Sequence, residues 1–148
     1  MKIECLSRHP HLIRKIAEIY TAEWEWHFCS EWNIQNLEEM IEDIKANIDT
    51  TFIGLDIESG AFIGTVAILK EDLKSHLHLT PWITCLYVEP EFRLRGYGQL
   101  LADFAHKFSN QKCYIWCYSP QAKLMYLKWG WKLLEATEGG WVLYKITQ

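Results

Sequence analysis

Between Arg93 and Gly98 the chain reads Arg-Leu-Arg-Gly-Tyr-Gly, two cations and two glycines in six residues. Glycines let a backbone turn tightly and keep side chains clear of an approaching ligand, and arginines offer charge-assisted hydrogen bonds to an oxyanion. Where such a turn feeds a helix, the first N–H groups of that helix lack an intrahelical partner and its dipole favours negative charge. The chemistry on offer is the grip of a phosphate. Two familiar phosphate patterns are absent: no Gly-Lys-Ser/Thr follows the glycines, and no trio of spaced glycines follows an early strand. The competing reading is a plain helix-start turn, with glycines for geometry and arginines for solubility.

The flanking segments are the elements such a loop needs. Before it, Trp82-Ile83-Thr84-Cys85-Leu86-Tyr87-Val88 lies between Pro81 and Pro90 and is rich in β-branched and aromatic residues, which predicts a strand. After it, Leu100, Leu101, Phe104, Ala105 and Phe108 fall on one face of a helix predicted over Gln99–Phe108.

The segment Val88–Phe104, VEPEFRLRGYGQLLADF, resembles motif A of the acetyl-CoA-dependent N-acetyltransferase superfamily, GNAT, whose signature is Q/R-x-x-G-x-G/A between its fourth strand and third helix. His9-Pro10, Glu25-Trp26, Thr80-Pro81-Trp82 and Tyr126-x-x-x-Gly130-Trp131 also look like one group of small, single-domain members. The resemblance covers nearly the whole chain and is strongest from Pro81 to Trp131. It implies one α/β domain over residues 1–148, a twisted mixed sheet splayed between strands four and five and flanked by about four helices. It implies acetyl-CoA as co-substrate, its pantetheine arm along Leu86, Tyr87 and Val88, its pyrophosphate on Arg93, Arg95, Gly96, Tyr97, Gly98 and Gln99, with Ser119 nearby. Ser119 stands where many relatives carry Asn and Leu94 where they commonly carry Gly. These departures bear on substrate class and donor geometry and remove no backbone amide.

For mechanism, the resemblance implies attack of a neutral amine on the thioester carbonyl in a ternary complex. Tyr126, four residues before Gly130, stands where the family places its usual general acid; a core tyrosine is the alternative. For the base, Glu89, Asp72, Glu25, His27 and His76 are all chemically possible, as is an ordered water chain, and Glu89 is the expectation taken forward. Thr84 and Trp82 occupy fourth-strand positions where some relatives carry titratable groups, so that route looks closed. Eight tryptophans are many for this length. Trp24, Glu25 and Trp26, with Asp72, are the expected wall of a pocket for a small cationic amine; amphipathic packing over the core is the alternative.

Charge distribution agrees with this division. Glu18–Asp49 holds nine acids against Lys45 alone, and Phe92–Lys128 holds six cations against Asp103. The basic half suits a polyanionic donor and the acidic half an amine. Alternatives to this enzyme are a non-catalytic acyl-CoA-binding or regulatory domain, an acetyltransferase acting on protein N-termini or lysines, and a phosphate-loop nucleotide binder.

At 148 residues, 49% hydrophobic and 23% charged, the chain has ordinary globular composition and length for a full core. The opening residues lack a signal-peptide apolar region and no run is long enough to span a bilayer, so a cytoplasmic protein with no membrane partner is expected. A net charge of −4 and the lack of a basic stripe argue against nucleic acid. Five cysteines without C-x-x-C spacing are expected as buried thiols. Cys113 and Cys117, separated by roughly 13 Å on one strand, cannot share a metal, and no metal site is expected. A monomer, or a homodimer through exposed edge strands, is compatible with the pattern.

The remaining periodicities predict strands over Lys2–Leu6, Thr51–Ile57, Ala61–Lys70, Lys112–Tyr118, Trp131–Ala136 and Trp141–Ile146. Helices are predicted over His11–Ala22, over Ile34–Ile48 and from Pro120 to Trp129, with Gly130 ending the last. Trp24–Trp32 joins the first two helices, and Glu71–Thr80 is a polar loop. The predicted order is β-α-α-β-β-β-α-β-α-β-β.

Overall fold

The computed structural model describes residues 1–147. Strand β1 (Lys2–Cys5) leads into helix α1 (Ile13–Trp32) and helix α2 (Leu37–Ala46), followed by the hairpin β2 (Thr51–Leu55) and β3 (Phe62–Leu69). Then come β4 (Trp82–Val88), α3 (Tyr97–Ser109), β5 (Cys113–Cys117), α4 (Pro120–Lys128), β6 (Lys132–Thr137) and β7 (Gly140–Lys145). The predicted order is the observed one. All seven strands lie in a single mixed sheet, ordered β1-β2-β3-β4-β5-β7-β6, in which only β4 and β5 pair in parallel.

Alternating side chains send the residues of β2 and β3 to two opposite cores. Ile53, Ala67 and Leu69 pack with Ile16, Tyr20, Met40 and Ile44 of α1 and α2. Their neighbours Phe52, Val66 and Ile68 pack with Leu101 and Ala105 of α3 and Tyr126 of α4. With both faces covered, β3 is buried along its whole length, which is why it reads as an apolar run with little alternation.

Local chemistry sets the helix ends. Asn36 caps α2 by accepting from the Glu39 amide at 2.9 Å, while Glu39 accepts from the Gln35 amide at 3.0 Å, two otherwise unpaired donors satisfied together. Ser119 caps α4 through the Ala122 amide at 3.1 Å, with Pro120 at the first helical position. Helix α3 ends on Asn110 in the left-handed region, a conformation asparagine tolerates.

Three expectations are corrected. Helix α1 does not stop at Ala22 but runs through a kink at Trp24, φ −137°, to Trp32. On α3, Leu100 and Phe108 are about half exposed; its buried stripe is Leu101, Ala102, Ala105 and His106, and Leu100 sits about 100° around the helix from Leu101. Cys85, Cys113 and Cys117 are buried, but Cys29 is exposed and Cys5 half-buried. No helix of the described residues is long and apolar enough to cross a membrane.

Candidate active site

The parallel pair β4–β5 meets only where Trp82 opposes Tyr114, with the Tyr114 amide donating to Pro81 O at 3.0 Å. Beyond that point the strands part, and the β4 edge that faces β5 has no strand partner. A bulge deforms β4 at the same place. Its register with β3 shifts between Thr65 and Ala67, and Cys85 adopts φ +56°. An irregular, unpaired edge inside a sheet leaves backbone donors and acceptors open to a ligand.

Two cavities meet in this gap. The first, about 240 Å³, lies between β4 and β5 and reaches from Ile83–Leu86 to Ile115–Ser119. The second, about 480 Å³, follows the loop, with Val88, Arg93, Gly96, Gly98 and Gln99 among its walls. Leu86 and Met125 border both, so the two cavities adjoin, one at the surface loop and one within the sheet.

The loop end is made of backbone. Leu94 and Gly96 both have positive φ, +63° and +83°, which folds the chain tightly ahead of α3. Gly96 caps the helix without a side-chain acceptor, so among the described residues the amides of Tyr97, Gly98 and Gln99 have no partner. Gly98 lies against Trp129, and a Cβ there would meet that ring at 3.4 Å, an ordinary contact. Arg93 donates from Nε to Val88 O at 2.8 Å and lies over the Tyr87 ring, while Arg95 lies over Phe92. Two guanidinium groups thus stand beside free amides, an arrangement fit for a phosphate group.

The interior end is made of side chains. Trp24, Trp26 and Phe28 face it from α1, and Trp116 and Tyr118 from the β5 side. Trp26 and Tyr118 pack edge to face at 5.1 Å and close the rim. Asp72, from the loop between β3 and β4, is 4% exposed and pairs with His27 Nε2 at 3.0 Å. Thr84 Oγ1 donates to the same carboxylate oxygen at 3.4 Å. The His27 ring stacks on Trp116 at 5.2 Å. Two tethers hold the loop down: the Lys74 amide donates to Glu31 of α1, and His76 pairs with Glu135 of β6.

Tyr126 borders the interior cavity from α4, with no hydrogen-bond partner for its hydroxyl among the described residues. Burial raises its pKa above the ordinary tyrosine value, and the nearby Cys117 and Asp72 add to the effect. The phenol is therefore a neutral donor aimed at a space that a ligand can enter. Burial also pushes the Cys117 thiol up to about 11, despite Lys123 pulling the other way.

A family model described as the acetyltransferase (GNAT) family matches residues 13–131, from the first residue of α1 to Trp131. The chain belongs to the GNAT acetyltransferase family. Solved structures agree on the fold. A GNAT-family acetyltransferase from Listeria monocytogenes superposes with TM-score 0.70 at 16% identity, over 98% of this chain and 94% of that one. A variant of the spermidine N-acetyltransferase SpeG from Vibrio cholerae gives 0.68 at 16% identity, over 99% and 95%. The PaiA N-acetyltransferase from Thermoplasma acidophilum, solved with coenzyme A, gives 0.63 at 15%, over 98% of each chain. No curated protein matches by sequence.

Within this GNAT fold, the residues singled out from the sequence separate clearly. Leu86, Val88, Arg93, Gly96, Tyr97, Gly98 and Gln99 line the loop cavity, with Tyr87 and Arg95 beside it. Trp24, Trp26, Asp72, Ser119 and Tyr126 line the interior cavity, where the Ser119 hydroxyl is engaged in capping. Glu89 lines neither cavity. Glu25 is exposed and borders a separate small crevice near Asn36. Sequence reasoning missed Trp116 and Tyr118 as walls, and left His27 as one base candidate among several. A signal for His27 existed, since Ile13, Ile16, Ala17, Tyr20, Trp24, His27 and Phe28 follow helical spacing through the stretch read as a connection.

Proposed function

We propose that this GNAT protein transfers the acetyl group of acetyl-CoA to a small primary amine in a ternary complex. The observation that carries the reading is the juxtaposition of a phosphate-suited loop and a side-chain-lined cavity, whose two spaces share Leu86 and Met125 as walls. Pyrophosphate would rest on the free amides of Tyr97–Gln99 with Arg93 and Arg95, and the pantetheine arm would follow the open edge of β4 at Leu86–Val88. That course delivers the thioester where the two cavities meet. Holding donor and acceptor together removes several kcal/mol of entropic barrier, on the order of 7–11 at best.

Attack by the amine nitrogen forms the C–N bond and moves the carbonyl electrons onto oxygen, where backbone N–H groups of β4 can stabilise them. Collapse expels the thiolate. Tyr126 meets the departing sulfur as a hydrogen-bond donor. Its raised pKa makes it a reluctant source of a free proton, so it serves best while a second proton reaches it from the reacting nitrogen. Glu89 stands as a base only through intervening water, since it lines neither cavity.

A thiol-release assay with acetyl-CoA against a panel of primary amines tests the reading. Turnover with at least one amine and saturable coenzyme A binding are expected. Coenzyme A binding without thiol release across the panel would make this a non-catalytic acyl-CoA binder, and preference for ATP or NAD over coenzyme A would reject the donor.

A further inference from the structure

We propose that the interior cavity receives a monoamine with a compact aromatic or apolar body, and that His27, held in place by Asp72, takes the proton from its ammonium group. This rests on the acetyltransferase reading and adds to it an acceptor class and a base.

Charge count decides against a polyamine. Among the described residues, Asp72 is the only carboxylate lining the cavity, and it already accepts from Thr84 and pairs with His27. A second or third ammonium would be buried without a counter-charge, which is strongly unfavourable. The acids that make α1 and α2 so negative, Glu18, Glu23, Glu25, Glu38 and Glu39 among them, are absent from the lining. What lines the space instead is aromatic: Trp24, Trp26, Phe28, Trp116 and Tyr118. Such walls favour one cation and a flat or apolar body. At about 240 Å³ the cavity is also smaller than the roughly 300–1,000 Å³ typical of drug-sized ligands.

The pair has the geometry of a base and its orienter. His27 and Asp72 are 7% and 4% exposed, and the ring is fixed by the Nε2···Oδ1 bond of 3.0 Å and by stacking on Trp116. With Nε2–H donating to the carboxylate, Nδ1 carries the lone pair and has no partner among the described residues. A neutral imidazole locked in one tautomer by a carboxylate is poised to accept a proton, and the carboxylate then compensates the imidazolium. Asp72 is thus a positioning residue for His27. It stands beside Thr84 of β4, whose hydroxyl donates to it.

The ammonium gives one proton to His27 Nδ1 and becomes a neutral amine, whose lone pair forms the C–N bond as the thioester carbonyl becomes an oxyanion. The oxyanion re-forms the carbonyl and breaks the C–S bond. The remaining excess proton on nitrogen passes by way of the Tyr126 hydroxyl to the sulfur, and His27 returns its proton to solvent.

The test pairs two measurements on the full chain. Calorimetric binding of coenzyme A, made without amine, checks the donor reading alone. Thiol release is then compared for phenethylamine, spermidine and a short peptide with a free N-terminus. The monoamine is expected to exceed both others in kcat/KM by at least about tenfold. His27→Gln is expected to lower kcat roughly 100-fold or more, with coenzyme A affinity unchanged and the acidic limb of the pH–rate profile removed. Asp72→Asn should shift that limb to lower pH. Besides Asp72, the titratable groups bordering the cavity among the described residues are Cys85 on β4, Cys117 and Tyr118 on the β5 side and Tyr126 on α4; of these side-chain types and histidine, only histidine ordinarily changes charge between about pH 5 and 8. Preference for spermidine or the peptide overturns the acceptor class, and a His27→Gln enzyme that keeps its rate and acidic limb overturns the base. Should that variant fail to fold, a wild-type profile flat between about pH 6 and 8 overturns the base equally well. Failure of the wild type to bind coenzyme A removes the acetyltransferase reading itself, and the inference with it.

Discussion

The loop from Arg93 to Gln99 and the cavity around His27 and Asp72 adjoin across Leu86 and Met125, and they are built by opposite means. The loop is contiguous in sequence and works through backbone: positive φ at Leu94 and Gly96, and free amides at the start of α3. The cavity draws on α1, the β3–β4 loop, β4, β5 and α4, and works through side chains. A backbone site tolerates most side-chain changes that leave its space open. A side-chain site is sensitive to single atoms. The two neighbouring sites should therefore respond differently to mutation.

The largest effect should come from the cavity side. Tyr126→Phe removes one oxygen and is expected to lower kcat about 100-fold, with coenzyme A affinity unchanged by calorimetry. An unchanged maximal rate would assign Tyr126 to the core. The second contrast is alkaline stability. Cys117, in the cavity wall, keeps its proton up to about pH 11 in the folded chain, whereas an unfolded cysteine loses it near 8.5. Its stabilisation is thus complete below about pH 8.5 and is lost between there and about pH 11. Urea denaturation should show on the order of 2 kcal/mol lost across that window in wild type and markedly less in Cys117→Ala, measured relative to its own neutral value. Equal losses would mean the wall is wet.

On the loop side the effects shrink. Arg95→Ala is expected to weaken acetyl-CoA about tenfold in KM with kcat little changed, and the deficit should narrow at high salt. A loss in kcat as large as that of Tyr126→Phe would contradict a backbone-built grip. Smallest of all, Leu94→Gly should raise stability by up to about 1 kcal/mol, read from the urea midpoint. Leu94 is fully exposed at φ +63°, a region that costs a side-chain-bearing residue roughly 1–2 kcal/mol, partly offset by glycine's greater unfolded entropy. A destabilised variant would show that the Leu94 side chain makes contacts worth more than that strain.

Much of the fold was readable because its signals are local. Ser119-Pro120 announces a helix start, and Gly130, at φ +92°, a helix end. The apolar runs give every strand within a few residues. Helix α1 was cut short because Trp24-Glu25-Trp26 interrupts the pattern with large aromatics, although the helical spacing resumes at His27 and Phe28. The polar loop Glu71–Thr80 concealed the opposite case: Asp72 and Leu73 are buried in it, because tethers to Glu31 and Glu135, far away in sequence, hold it against the sheet.

The sequence by itself determined the order of elements and the phosphate-suited loop, since both follow from residues within a turn or two of one another. Tertiary structure alone decided which carboxylate enters the cavity. Glu25, Asp72 and Glu89 are equivalent as composition, yet only Asp72 meets His27, across 45 residues of chain. Burying a carboxylate requires partners supplied by other elements, here an imidazole from α1 and a hydroxyl from β4, and no local pattern records whether distant segments will bring them.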